Sequence, residues 1–263
     1  KTVLITGASS GIGLETAELF YSLGCNVAFI CGRKRPPTDI PLDSPRTLVR
    51  NIDISSWDPL VSVFEDTIAK FGQIDIVCPN AGVAEPQDQY FNLKVDESGR
   101  PLEMDMRVFD VDMKGTSYTV ALGMHYMKEK GGCICIMSSM AGYVGVPEMP
   151  NYSATKHGAT ALLRSLSRPA AQRNIALSLV APSLIFTPGT FPDDYKPGRE
   201  AYLKMREALA PTGLHISSSR TCALAVAYLV NGGLAMAGKG LLVDNDEIND
   251  LELDLHRARP EWF

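Results

Sequence analysis

Thr6-Gly7-Ala8-Ser9-Ser10-Gly11-Ile12-Gly13 lies between a short apolar run, Val3-Leu4-Ile5, and a helical pattern from Leu14 to Leu23. Glycines at 7, 11 and 13 permit a tight turn and let another molecule approach the backbone closely. A helix that begins where such a turn ends presents free N–H groups and the positive end of its dipole, which together suit a phosphate. In isolation these glycines are as consistent with a plain structural turn. Their place between a strand and a helix is what favours the phosphate-binding reading.

The same alternation continues along the chain. Strands are expected at residues 27–30, 47–52, 74–78, 133–137, 175–180 and 241–244, and helices near residues 57–71, 102–130, 152–173, 199–209 and 218–230. The strands read as unbroken apolar runs, the pattern of strands covered on both faces. Such alternation predicts an α/β fold, a single-domain, doubly wound parallel sheet with helices on both faces. No internal repeat or long linker divides residues 1–263. Residues 1–150 would mainly bind a dinucleotide, and residues 151–263 would supply a catalytic helix, substrate loops and the last strand. Residues 33–45, with four prolines, residues 84–101, and residues 187–198, with three prolines, read as loops. Ligands bind outside the carboxyl ends of strands in such sheets, so the last two would set substrate choice.

Bulk properties narrow the class. The chain has 263 residues, a formal charge of −5, 45% apolar and 21% charged residues, which is ordinary for a soluble globular protein. A net negative charge gives no support to a nucleic-acid partner. No apolar run approaches the roughly 20 residues of a membrane span, and no basic-then-apolar leader opens the chain. The expectation is a cytoplasmic protein without nucleic-acid or membrane partners. Cys25, Cys31, Cys78, Cys133, Cys135 and Cys222 form no Cys-x-x-Cys pair and most sit in apolar runs, so buried thiols are expected rather than disulfides or a metal site.

The end of the second strand bears on the choice of dinucleotide. An acidic residue about 20 positions past the glycines would bind the ribose hydroxyls of NAD. Here Cys31 and Gly32 precede Arg33-Lys34-Arg35. An acid would repel a 2′-phosphate, whereas a guanidinium can bind it with two hydrogen bonds. NADP(H) is therefore preferred, with NAD(H) still possible. Arg33 is the expected main contact, helped by Ser9 and Lys34; the competing reading is three solvated loop cations.

Tyr152-Ser-Ala-Thr-Lys156 carries the chemistry. Positions four apart share one helical face, so phenol and ammonium point into the same space. An unperturbed tyrosine, with a pKa of about 10, is a poor base at neutral pH, and a nearby cation favours its phenolate. A Tyr-x-x-x-Lys pair alone is commonplace on helix surfaces. However, residues 134–139 form an apolar strand ending in Ser138-Ser139, at the edge where catalytic groups belong. Strand alternation allows only one of the two serines to face a site; Ser139 is the first choice and Ser138 the alternative. His125 and His157 carry no comparable pattern.

Thr6–Gly13, Asn80-Ala81-Gly82, Ser139 and Tyr152-x-x-x-Lys156 together resemble the short-chain dehydrogenase/reductase family, in order and over essentially the whole chain, and residues 122–127, 137–142 and 150–158 look closest to its hydroxyprostaglandin-dehydrogenase-like branch. The resemblance implies a Rossmann-type fold. It also implies hydride transfer between a nicotinamide and a carbonyl or alcohol carbon, on a secondary alcohol or ketone of a small apolar molecule. Tyr152 would give or take the oxygen-bound proton, Ser139 would orient the oxygen, and Lys156 would tune the tyrosine and hold ribose. Gly7, Ser9, Ser10, Gly11, Ile12 and Gly13 would line the pyrophosphate, Asp53 and Ile54 the adenine, Asn80 and Gly82 the cofactor's middle, and Ile185 and Thr187 the carboxamide. Family members assemble as dimers or tetramers through two long helices, so a homodimer or homotetramer is expected.

Three positions depart from that pattern. Asp112 stands where the family places an asparagine that supports a water, and its charge could instead clamp Lys156. Pro79 and Ser183 are milder changes. They keep open a member that binds the dinucleotide yet catalyses an isomerisation or cyclisation, or one that only senses it. Phe186, Phe191, Tyr195, Tyr202 and Leu203 point to an apolar substrate. The methionines at 104, 106, 113, 124 and 127 are expected to pack a core or an interface, and residues 257–263 to fold against a neighbouring subunit.

Overall fold

β1 (Thr2–Thr6) is buried along its whole length, and its alternate side chains serve two different cores. Val3 and Ile5 face one side, with Phe20, Val27, Phe29, Met137, Val226 and Leu229. Leu4 faces the other, with Ile30, Phe64, Val77, Ile134, Ile136 and Leu163. A strand flanked by two cores cannot alternate apolar with polar, which is why these runs are apolar throughout. Each fully buried side chain of this kind contributes about 1.5–3 kcal/mol.

The computed structural model describes residues 1–32, 34–86 and 88–258. After β1 come α1 (Gly11–Ser22), β2 (Asn26–Cys31), β3 (Thr47–Asn51), α2 (Trp57–Phe71), β4 (Ile76–Cys78), α3 (Thr116–Met127) and β5 (Gly132–Met137). Then follow α4 (Pro150–Ala171), β6 (Ile175–Pro182), β7 (Ile185–Phe186), α5 (Arg199–Leu209), β8 (Ser217–Ser218), α6 (Ser219–Gly232), β9 (Gly240–Asp244), β10 (Glu247–Asp250) and α7 (Leu251–Arg257). The sheet runs β10-β9-β6-β5-β4-β1-β2-β3, parallel except at β10. α1 and α6 cover one face, and α2, α3 and α4 the other. The strand order reverses between β1 and β4, where a crevice opens at the carboxyl edge.

Three features differ from the sequence expectation. The helix expected from 102 begins only at Arg107, because Asp105 Oδ1 accepts from the Arg107 N–H at 2.9 Å and stops the extended segment there. That helix then runs through a π-helical segment, Phe109–Gly115, before α3. At the far end, β9 turns back into the antiparallel β10 through Asn245 and Asp246, at φ 50 and 59. Both turn residues are left-handed, the mark of a type I′ hairpin usually announced by glycine.

The six cysteines are free, and all but Cys133 are buried. Met127 is buried, and Met113 packs where a Cβ on Gly158 would overlap its sulfur. No described helix is long and apolar enough to cross a membrane. The chain-end reading at 257–263 falls mostly on residues 259–263, outside the described ones.

Candidate active site

The crevice floor is built by the loops after β1 and β4. Gly7 adopts φ +70, and a Cβ on it would sit 2.7 Å from the Ala81 Cα, so glycine is what lets the two loops touch. A Cβ on Gly13 would overlap the Gly7 carbonyl oxygen and the Asn80 side-chain amide. The Thr6 hydroxyl accepts from the N–H groups of Asn80 and Ala81 at 2.9 and 3.0 Å, and Asn80 Nδ2 donates to the Thr6 carbonyl at 2.9 Å.

α1 starts beneath this turn, and the side chain of its cap, Ser10, bonds none of its free N–H groups. Those donors remain available to an anion. Ser9 and Ile12 are half-buried along the turn and Ser10 is exposed. Thr187 leans over it from the loop after β7, with its methyl 3.2 Å from where a Cβ on Gly11 would lie, and shares a 2.9 Å hydrogen bond with the Thr190 hydroxyl. Uncapped donors under a backbone bare of side chains fit a pyrophosphate.

The remaining cofactor candidates surround the crevice. Asp53 Oδ1 accepts from the N–H and hydroxyl of Ser55 at 2.9 and 2.8 Å. The Ile54 side chain is buried beneath Gly115, so its backbone is the part left to meet a ligand. Ile185 is buried in β7. Arg33 lies outside the described residues. Next to it, Lys34 is exposed, and Asn51 Nδ2 holds the loop by donating to the carbonyls of Gly32 and Lys34 at 2.9 and 3.3 Å.

The chemical end is held by a buried ion pair. Lys156 lies one turn after Tyr152 on α4, its Nζ 5.3 Å from the Tyr152 ring centroid and 3.0 Å from Asp112 Oδ2. Both Lys156 and Asp112 are buried. Burial disfavours the ammonium, but attraction to Asp112, then to Tyr152, outweighs it and leaves the lysine pKa above its ordinary value. Asp112 Oδ1 accepts from the Val83 N–H at 2.8 Å. Gly82 makes room for this: a Cβ there would come 2.8 Å from Asp112 Oδ2. The π-helical segment carries Asp112, a distortion frequent at functional sites.

The two serines diverge as strand alternation requires. The Ser138 hydroxyl is buried and donates to the Lys156 carbonyl at 3.1 Å. Ser139 is half-buried; its oxygen accepts from the Ala141 N–H at 3.1 Å and donates to the Pro182 carbonyl at 3.3 Å. Of the two, Ser139 is the more exposed, at the carboxyl end of β5. His157 is exposed, its Nδ1 2.9 Å from the Ser153 carbonyl oxygen.

Two findings add to the sequence picture. Phe186 and Tyr202 are buried with Ile216, and the rings of Phe191, Tyr195 and Tyr202 lie 5.6, 5.0 and 6.3 Å from that of Phe186. These rings pack on one another in the arm that bears α5, and Phe186, Tyr195 and Tyr202 also line, with Leu203, a cavity of about 440 Å³. Conversely, Glu85 had no sequence signal, yet its Oε2 accepts from the Tyr152 N–H at 2.7 Å.

A mostly parallel sheet with a glycine cradle at its reversal point, facing a Tyr–Lys helix, defines a dinucleotide-dependent oxidoreductase. The profile of the short chain dehydrogenase family matches residues 1–194, and the chain belongs to that family of NAD(P)-dependent short-chain dehydrogenases/reductases. It is similar to the short-chain dehydrogenase/reductase prx4 of Penicillium rubens, 32% identical over all of this chain and 80% of that one. It is also 32% identical to the 3-oxoacyl-[acyl-carrier-protein] reductase FabG of Thermotoga maritima, over 72% of this chain and 76% of the relative. Among solved structures, a 3-ketoacyl-(acyl-carrier-protein) reductase from Brucella melitensis complexed with NADH shares the fold, with a TM-score of 0.76, 24% identity and coverage of 93% of this chain and 97% of that one.

Proposed function

We propose that this protein interconverts a secondary alcohol and a ketone of an apolar small molecule using NADP(H), with Tyr152 as general acid and base. The observation carrying this reading is the buried Lys156 ammonium, 5.3 Å from the Tyr152 ring and held charged by Asp112. Phenol and ammonium, one turn apart on the same helical face, meet the same space, which suits Tyr152 to exchange a proton with a substrate oxygen. NADP(H) held in the crevice would supply the hydride, or accept it from the substrate carbon. Ser139 orients the oxygen, and Lys156 also holds the ribose.

Gly7, Ser9, Ser10, Gly11, Ile12 and Gly13 hold the pyrophosphate, Asp53 and the Ile54 backbone the adenine, and Asn80, Gly82, Ile185 and Thr187 the nicotinamide half. Residues 1–150 mainly bind the dinucleotide, and residues 151–263 bring the catalytic helix and substrate loops. Arg33, with Lys34, selects the 2′-phosphate. Met140 and Val144, 39% and 49% exposed just past Ser139, support an apolar substrate. The branch reading, by its resemblance, points to lipid-like or polyketide-like ketones, and assembly is through α3 and α4 as a homodimer or homotetramer. Six free thiols accord with a cytoplasmic setting. Asp112 in the place of the family's asparagine favours one second reading, an isomerisation or cyclisation with no net redox change.

The test is to titrate NADPH and NADH, then follow reduced-nicotinamide absorbance over a panel of ketones. Tighter NADPH binding and cofactor consumption are expected, with Tyr152→Phe inactive but binding NADPH as before. Product without cofactor consumption would favour the second reading, and equal NADH affinity would remove the role of Arg33.

A further inference from the structure

We propose that Glu85 is a positioning residue for Tyr152, capping the amino end of α4 from the same loop that fixes the partner of Lys156. The proposal rests on the proton-transfer role given to Tyr152.

α4 opens without a local cap. Pro150 has no N–H, the Met149 side chain makes no cap hydrogen bond, and the Ser153 N–H is taken by the Met149 carbonyl at 3.0 Å. The Tyr152 N–H is met from 67 residues away, by Glu85 Oε2 at 2.7 Å. Glu85 is turned inward, 4% exposed between the exposed Ala84 and Pro86. A carboxyl group in the first helical turn suits the helix dipole.

The arrangement is costly for mere stability. Glu85 Oε1 is buried with no partner among the described residues, and so is Nδ2 of the adjacent Asn151, itself 3% exposed. Unpaired buried polar atoms oppose folding, and a serine or aspartate at 149 would cap the helix without them. What the distant cap adds is alignment. Two residues before Glu85, the Val83 N–H holds Asp112, which holds Lys156. One short segment therefore places both members of the Tyr–Lys pair. Asn151 Oδ1 accepts from the Tyr90 hydroxyl at 2.8 Å, joining the 84–101 loop to the same helical turn.

The experiment compares Glu85→Ala, Glu85→Gln and Tyr152→Phe in the full chain, with NADPH and one ketone that the unaltered enzyme reduces. Since a misplacement of about 1 Å can cost about 100-fold, kcat of E85A should fall at least about 10-fold, while KM and the NADPH Kd move less than about 2-fold. E85Q keeps an oxygen for the Tyr152 N–H and should recover to within about 3-fold of the parent. Should E85A not fold, Glu85→Met, of similar length but unable to cap, takes its place under the same expectation.

Unchanged kcat in the uncapped variant, an E85Q as slow as E85A, or a loss confined to KM and Kd would each overturn the proposal. An inactive Y152F beside a fully active E85A would dismiss Glu85 alone. An active Y152F would remove the premise for both.

Discussion

Replacing Asp112 by asparagine probes the ion pair that holds Lys156. Asp112 uses both oxygens, Oδ1 for the Val83 N–H at 2.8 Å and Oδ2 for Lys156 Nζ at 3.0 Å. An amide offers one accepting oxygen, so whichever way it turns its NH2 group faces a donor. Unit charges 3.0 Å apart attract by about 5 to 6 kcal/mol at an effective dielectric constant of about 20. Desolvation offsets part of that, and losing one partner of a buried pair costs about 3 kcal/mol or more, leaving the other charge stranded. In a chain of this size that lowers Tm by about 6–12 °C.

The pH dependence has a definite sign. The Lys156 pKa is raised in the folded state, so its stabilising contribution is full below the unfolded value of about 10.4 and is lost as pH rises through the folded one. In D112N burial is left to push the lysine pKa down, so the variant no longer shares that alkaline loss. Melting curves by circular dichroism should therefore show a wide gap between parent and variant at pH 7.5 that narrows at pH 10.5. A gap under about 2 °C at pH 7.5, or one that does not change with pH, would refute the reasoning, since it would mean the pair contributes little.

Other perturbations test the neighbouring parts. Gly13→Ala should force the two loops apart, costing about 1–3 kcal/mol, and weaken NADPH binding in a calorimeter; unaltered affinity would contradict the cradle. Ser138→Ala should lose about 1 kcal/mol of stability with turnover kept, whereas Ser139→Ala should lose turnover about 100-fold; the reverse pattern in steady-state assays would exchange their roles. Burial pushes the Cys31 thiol up to about 11 and Cys135 up to about 12, so neither should react with a disulfide reagent at pH 8 until guanidinium is added, and mass spectrometry of labelled peptides would reveal any that did.

What could be read in advance follows the range of the interactions. The residues 57–71 expected to be helical are those of α2, because an amphipathic stripe and the left-handed Gly72 that stops it are local signals. The glycine turn and the Tyr152–Lys156 spacing are equally local. The type I′ turn at Asn245-Asp246 was hidden because its usual glycine is absent, and with it β10 and α7. That Ser138 and Ser139 part follows from strand alternation, but the bond that occupies Ser138 is to the Lys156 backbone and needs α4 in place. Glu85 leaves no motif because its partner is a backbone N–H far along the chain.

Between Phe109 and Gly115 the helix holds the wider winding of i to i+5 bonding. Removing one residue between Asp112 and Thr116 would let the run relax to ordinary winding, at about 100° per residue, and swing the carboxylate away from the amine while α3 stayed seated on the sheet. Such a deletion would leave a protein that folds, looks intact by shape, and has lost its working register. Here the spacing of the backbone, as much as the identity of any side chain, is what heredity must preserve.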